Sequence, residues 1–219
     1  MKKLLLTLVF AASVCHIASA QAEWACFSRY EKANSEITKA PKAVFYGDSI
    51  TDIWQQQHPV FFEENNFAGR GISGTVTSQM LVRMRRDVID LHPKYFVFLG
   101  GINDIAINQG PIDLEDTFKN IVSMVELARA NKIKPIVCLL FPVDKISWRP
   151  EITDASEKVE KLNGMISDYC RQNKVPCVEY FSDVDHSDGR LPREISADSI
   201  HPNSEGYTLM ENEILKYIK

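Results

Sequence analysis

Tyr46-Gly-Asp-Ser-Ile-Thr-Asp52 (YGDSITD) is the stretch on which the reading of this chain turns. Ahead of it, Ala43-Val44-Phe45-Tyr46 is a continuous apolar run, the pattern of a strand buried on both faces. Gly47-Asp48 then breaks the run, and Ser49 stands where a helix can begin. Ser49 has two readings. Serine is a favoured helix N-cap, and a serine at a strand-to-helix turn can also be a nucleophile if a base takes its proton.

Similar runs recur along the chain. Tyr95–Leu99, Ile136–Phe141 and Cys177–Phe181 also read as buried strands, and Phe67–Ile72 as a weaker fifth. Between them lie amphipathic stretches with i, i+3, i+4, i+7 spacing: Val76, Met80, Met84, Val88; Phe118, Ile121, Val122, Val125; Val159, Leu162, Ile166, Tyr169; and Tyr207, Met210, Ile214, Tyr217. Alternation of buried strand and helix predicts a doubly wound α/β domain with a parallel sheet. Ligands in such sheets gather beyond the carboxyl ends of the strands.

The bulk properties bound the function. The chain has 219 residues and a formal charge of −4. Met1–Ala20 carries Lys2 and Lys3, an apolar Leu4–Ala12 and an Ala18-Ser19-Ala20 exit, the pattern of a secretory signal peptide rather than a membrane span. Cys15 follows Val14, where a lipid-anchored signal carries a small residue. Residues 21–219 then form one domain, and loss of Lys2 and Lys3 moves the charge to −6. A mildly acidic chain without basic blocks is a poor partner for nucleic acid or anionic membranes. Cys26, Cys138, Cys170 and Cys177 remain; their spacing is not that of a zinc site, and Cys170 and Cys177 flank a helix-to-strand connection where they can meet.

Four segments fall at the expected strand ends: Gly47-Asp48-Ser49, Gly71 in GRGISG (69–74), Asn103 in GGIND (100–104), and Asp198 with His201 in DSIHPN (198–203). A hydroxyl, a carboxamide, an imidazole and a carboxylate thus share one rim. An imidazole can accept the serine proton, and a carboxylate three residues away can orient the ring. The N–H groups of Ser49 and Gly71 and the Asn103 amide can serve a developing oxyanion. Asp48 and Asp104 are alternative acids, more readily read as holding their own loops together.

These four blocks, GDSIT (47–51), Gly71, GGIND and DSIHPN, resemble the SGNH, or GDSL-type, hydrolase family, in family order and over roughly 43–204. The resemblance implies a flavodoxin-like three-layer fold with a five-stranded parallel sheet, Ser49 as nucleophile, an Asp198–His201 pair, Ser49, Gly71 and Asn103 as the oxyanion hole, and neither metal nor cofactor. It also implies an ester substrate. Carbohydrate deacetylases, lysophospholipases, thioesterases and arylesterases all occur in the family. Export, and Trp148-Arg149 after the fourth strand as a candidate substrate wall, favour short acyl groups on a carbohydrate; a lipid acyl hydrolase is the runner-up.

Other readings compete. Gly69, Gly71 and Gly74 spell a literal G-x-G-x-x-G, the mark of a dinucleotide site, but after the second strand rather than the first. A binding protein that keeps the fold without turnover is the rival from outside the enzymes. Trp54 and Trp148 suit a core or lid as well as a substrate wall. His58, His92 and His186 read as isolated, and His186 as a solvated loop residue.

Overall fold

The computed structural model describes residues 24–185 and 189–219. The signal-peptide pattern, Cys15 and His186 lie outside the described residues. The chain forms a five-stranded, all-parallel sheet in the order β2-β1-β3-β4-β5. The strands are β1 (Ala43–Gly47), β2 (Phe67–Gly71), β3 (Tyr95–Leu99), β4 (Lys134–Cys138) and β5 (Cys177–Val178). The helices are α1 (Glu31–Ser35), α2 (Ser49–Gln57), α3 (Pro59–Glu64), α4 (Thr77–Asp87), α5 (Ile102–Ile105), α6 (Leu114–Ala130), α7 (Ala155–Asn173) and α8 (Ser204–Ile214). This is the α/β, flavodoxin-like architecture expected. Helices α4, α6 and α7 pack side by side over one face. Helices α2, α3 and α8 cover the other, where Trp54 stacks on Phe61 and Tyr207 and the Tyr207 hydroxyl donates to Ile50 O. Trp54 is therefore a core residue, 1% exposed.

β1 and β3 are buried at every position, as their unbroken apolar runs require. β2 is buried at every position as well, although it carries Arg70. Arg70 lies over the Tyr30 ring and donates from Nε to Asn34 Oδ1 and from Nη1 to Gly69 O, so the N-terminal segment covers this edge strand and absorbs its charge. Tyr30 also donates its hydroxyl to Gly71 O.

The fourth and fifth strands differ from expectation. β4 starts at Lys134 and stops at Cys138, short of Phe141. There the Asn163 side chain takes both backbone groups of Leu140, accepting from its N–H at 2.9 Å and donating to its carbonyl at 2.8 Å, and draws the chain toward α7. β5 is two residues long; Tyr180 and Phe181 leave the ladder to pack against Phe141. Cys170 and Cys177 do meet, as free thiols in hydrogen-bond contact. Among the described residues, no helix is long and apolar enough to cross a membrane.

Candidate active site

The turn between β1 and α2 assigns different tasks to adjacent residues. Asp48 is the helix N-cap, its Oδ1 accepting from Ile50 N–H at 3.1 Å. Ser49 is thereby released from capping. Its Oγ lies 2.8 Å from His201 Nε2, at the N-terminus of α2, where exposed N–H groups favour negative charge. Asp48 is fully buried. Burial pushes its carboxyl up to about 6, against the downward pull of the Ile50 N–H and the His201 charge.

His201 and Asp198 come from the loop before α8. Ser199 adopts a left-handed conformation, φ 66°, which folds the chain back within three residues. Asp198 Oδ1 accepts from the Ile200 and His201 N–H groups at 3.0 and 2.8 Å, and Oδ2 lies 2.7 Å from His201 Nδ1. Partial burial pushes the Asp198 carboxyl up, but the His201 side chain and these N–H groups outweigh it and hold the group below its ordinary value. An ionised carboxylate only accepts, so the imidazole proton belongs on Nδ1 and the Nε2 lone pair faces Ser49.

Gly71 ends β2 as the direct register partner of Gly47. Ile72 N–H donates to Gly47 O, so the alternation of a parallel ladder turns the Gly71 N–H away from β1 and Ser49, to the edge where Tyr30 meets Gly71 O; Gly71 therefore does not supply the oxyanion N–H expected of it. A Cβ at Gly71 would sit 2.3 Å from Asp52 N, 2.6 Å from Thr51 Cβ and 2.7 Å from Asp48 O, so the first turn of α2 packs directly on this residue. Gln55 covers Gly69 in the same way. Gly69 and Gly71 of the literal G-x-G-x-x-G are therefore a strand-to-helix packing surface occupied by α2, while a Cβ at Gly74, φ 77°, would meet nothing within 4 Å.

Asn103 is 2% exposed on the short α5. Its Nδ2 donates to Thr75 O at 3.1 Å and its Oδ1 accepts from Asn108 Nδ2 at 2.7 Å, which leaves one amide N–H uncommitted. Asp104 serves its turn: its carboxylate accepts from Thr77 N–H, from Thr77 Oγ1 at 2.6 Å and from Thr117 Oγ1 at 3.4 Å. Burial pushes it up to about 6.

Trp148 is 39% exposed, with its ring centroid 6.2 Å from that of His201. Arg149 donates from Nη2 to Ile107 O at 3.1 Å and pairs loosely with Glu151 at 3.5 Å. Sequence reasoning passed over Asn108, which contacts both Trp148 and Asn103. It also set His58 aside as isolated. In fact His58 Nδ1 lies 2.7 Å from Glu211 Oε1 and its Nε2 lies 2.9 Å from Ser204 Oγ, while Trp54 Nε1 donates to the same Glu211 oxygen. That cluster ties α8 to the α2–α3 junction. Its partners are 146 and 153 residues apart in the chain, so no local pattern could have shown it.

The arrangement is a nucleophile, a base, an orienting acid and a set of oxyanion donors on one rim of a doubly wound sheet, the equipment of acyl transfer. Comparison with known proteins agrees. Residues 45–209 match the model of the GDSL-like Lipase/Acylhydrolase family. The chain therefore belongs to that family and is a carboxylic ester hydrolase. A solved structure of a presumed acylhydrolase from Bacteroides fragilis is 44% identical, with a TM-score of 0.85 over 89% of this chain and 96% of that one. A GDSL-like lipase from Bacteroides thetaiotaomicron is 41% identical, with a TM-score of 0.85 over 89% and 97%. Among curated proteins, the isoamyl acetate-hydrolyzing esterase of Saccharomyces cerevisiae is 24% identical over 81% of this chain and 86% of its own.

Proposed function

We propose that this protein is an exported serine esterase that removes short acyl groups, acetyl above all, from a carbohydrate or other small alcohol. The carrying observation is the unbroken contact from Ser49 Oγ to His201 Nε2 at 2.8 Å and from His201 Nδ1 to Asp198 Oδ2 at 2.7 Å. Ser49 Oγ attacks the ester carbonyl as its proton passes to His201 Nε2, and Asp198 steadies the imidazolium. The oxyanion is met by the Ser49 N–H and the free Asn103 amide N–H. His201 then gives the proton to the departing alkoxide, leaving an acyl-serine. A water molecule attacks that ester with His201 again as base, the acid leaves, and Ser49 regains its proton.

The short acyl group is supported by a small cavity lined by Ile50, Ile102, Leu140, Phe141, Val143, Ser199 and Ile200, immediate neighbours of Ser49, Asn103 and His201 among them. Its volume is ≈ 10 Å³. That is about the space of one water-sized body, a size in keeping with a short acyl group. The yeast relative acts on an acetate ester, by its name. The alcohol side is supported by Trp148, an exposed ring beside His201 on which a sugar face can rest. Export is supported by the residue pattern of 1–20.

Hydrolysis of p-nitrophenyl acetate, butyrate and octanoate by residues 21–219, beside Ser49→Ala, tests the reading. Acetate is expected to be fastest and Ser49→Ala inert. Octanoate as the best ester would replace the acetyl reading with a lipid one. Equal inactivity of both proteins on all three would favour a binding protein.

A further inference from the structure

We propose that Asn108 is a positioning residue for the oxyanion donor Asn103, and that Trp148 fixes its direction, so that a hydrogen-bond relay runs from the substrate wall to the oxyanion hole. The inference rests on the esterase reading for its kinetic consequence, though not for its geometry.

The relay has four members. Trp148 Nε1 donates to Asn108 Oδ1 at 3.1 Å, Asn108 Nδ2 donates to Asn103 Oδ1 at 2.7 Å, and Asn103 Nδ2 donates to Thr75 O at 3.1 Å. An Asn side chain can be turned end for end, and only its partners decide which end is oxygen. Here both ends of the chain have fixed polarity. An indole N–H only donates and a peptide carbonyl only accepts. Trp148 therefore requires Asn108 Oδ1 to face it, which aims Asn108 Nδ2 at Asn103. That in turn commits Asn103 Oδ1 away from the reacting carbon and leaves an Asn103 N–H for the oxyanion. Reversal of Asn103 would put two oxygens, Oδ1 and Thr75 O, against each other and two N–H groups at Asn108, and would point no donor from that end of the amide to the site.

Backbone geometry supports the same conclusion. Ile107, just before Asn108, is in the left-handed region at φ 55°. That conformation is costly for a β-branched residue and persists only where the surroundings impose it. Two contacts impose it here: Asn108 N–H donates to Asn103 O at 3.0 Å, and Arg149 Nη2 donates to Ile107 O at 3.1 Å. The strained turn brings Asn108 back over Asn103 through both its main chain and its side chain. Arg149, beside Trp148, clamps the turn from the far side. Residues 148 and 149 thus grip the 107–108 turn at two points, and Trp148 simultaneously stands by the His201 ring.

The test uses kcat on p-nitrophenyl acetate and the side-chain amide signals of Asn103 in a ¹H–¹⁵N spectrum, assigned by their loss in Asn103→Ala. Asn108→Asp is nearly isosteric but presents only acceptors, so it should reverse the Asn103 amide. Its kcat should fall by about 10²–10³, the cost of an oxyanion donor. Asn108→Ala, which merely releases the amide, should lose about tenfold, the worth of one hydrogen bond, with KM little changed. In the Asn103→Ala background neither change should lower kcat further. Trp148→Phe keeps the ring and should shift the Asn103 amide signals in the same direction as Asn108→Ala. Equal losses in both backgrounds, or an Asn108→Asp enzyme no slower than Asn108→Ala, would overturn the proposal. The amide spectra are also recorded on Ser49→Ala protein, so that they decide the relay even if no ester is turned over. Asn103 signals indifferent to Asn108 and Trp148 would end it.

Discussion

Gly71→Ala puts a single methyl where the fold has no room for it. The added carbon would lie 2.3 Å from Asp52 N, 2.6 Å from Thr51 Cβ and 2.7 Å from Asp48 O. Two of these are backbone atoms, and all three belong to the turn that carries Ser49, so no flexible side chain can give way. Restoring ordinary contact, 3.4 Å or more, means separating the end of β2 from the start of α2 by about 1 Å. A shift of about 1 Å in a catalytic constellation can cost 10²-fold in rate. Overpacking of this kind destabilises by about 1–3 kcal/mol. In a chain of this size each kcal/mol lowers Tm by about 2–4 °C. The expected enzyme is folded, melts several degrees lower, and has lost at least about two decades of kcat with KM far less affected. Calorimetry and initial rates on p-nitrophenyl acetate measure both. A Gly71→Ala protein with wild-type Tm and kcat within threefold would refute the packing argument.

Three further outcomes are expected. Arg83 is fully buried and donates to Asp87 Oδ2 at 2.8 Å, Arg70 O at 3.1 Å and Gly47 O at 3.2 Å, so it ties α4 to the ends of β1 and β2. Arg83→Met takes the guanidinium from the Asp87 carboxylate, leaving it the Asn34 Nδ2 donor at 2.9 Å, and should cost about 3–5 kcal/mol in urea unfolding, much of it recovered in Arg83→Met/Asp87→Leu; a loss under about 1 kcal/mol would contradict this. Asp48 is held up to about 6 by burial, while the unfolded chain keeps the ordinary carboxyl value. Between those values the folded protein binds a proton that the unfolded chain has released, so the Asp48 contribution to stability falls as pH rises through that window. The Tm of Asp48→Asn relative to wild type should therefore be more favourable at pH 7.5 than at pH 4.5, and a constant difference would show that Asp48 does not titrate there. Enlarging the small cavity with Val143→Ala should raise the rate on butyrate relative to acetate; an unchanged ratio would remove the cavity from acyl selection.

What the sequence made legible was what is local. β1 and β3 are unbroken apolar runs, and buried strands need such runs. Asp198 and His201 are three residues apart, and one left-handed Ser199 lets them meet. What stayed hidden depends on partners far along the chain. β2 looked weak because Arg70 interrupts it, and the Tyr30 ring and Asn34 amide that accommodate this charge lie 40 and 36 residues away. Ser49 was ambiguous because either it or Asp48 could cap α2; only the bond from Ile50 N–H to Asp48 Oδ1 decides. Asn108 lacked any mark, since its task is defined by Trp148, 40 residues later. The end of β4 was misplaced because the Leu139–Phe141 run stays apolar while Asn163 diverts its backbone.

The central claim is that Ser49 is the nucleophile, activated by His201. Intact-mass measurement after treatment with a fluorophosphonate, followed by peptide mapping, tests it most directly. The account predicts one adduct per chain, on Ser49, absent from Ser49→Ala and formed far more slowly by His201→Ala. An unmodified wild-type protein, or an adduct on Ser204 beside His58, would contradict it.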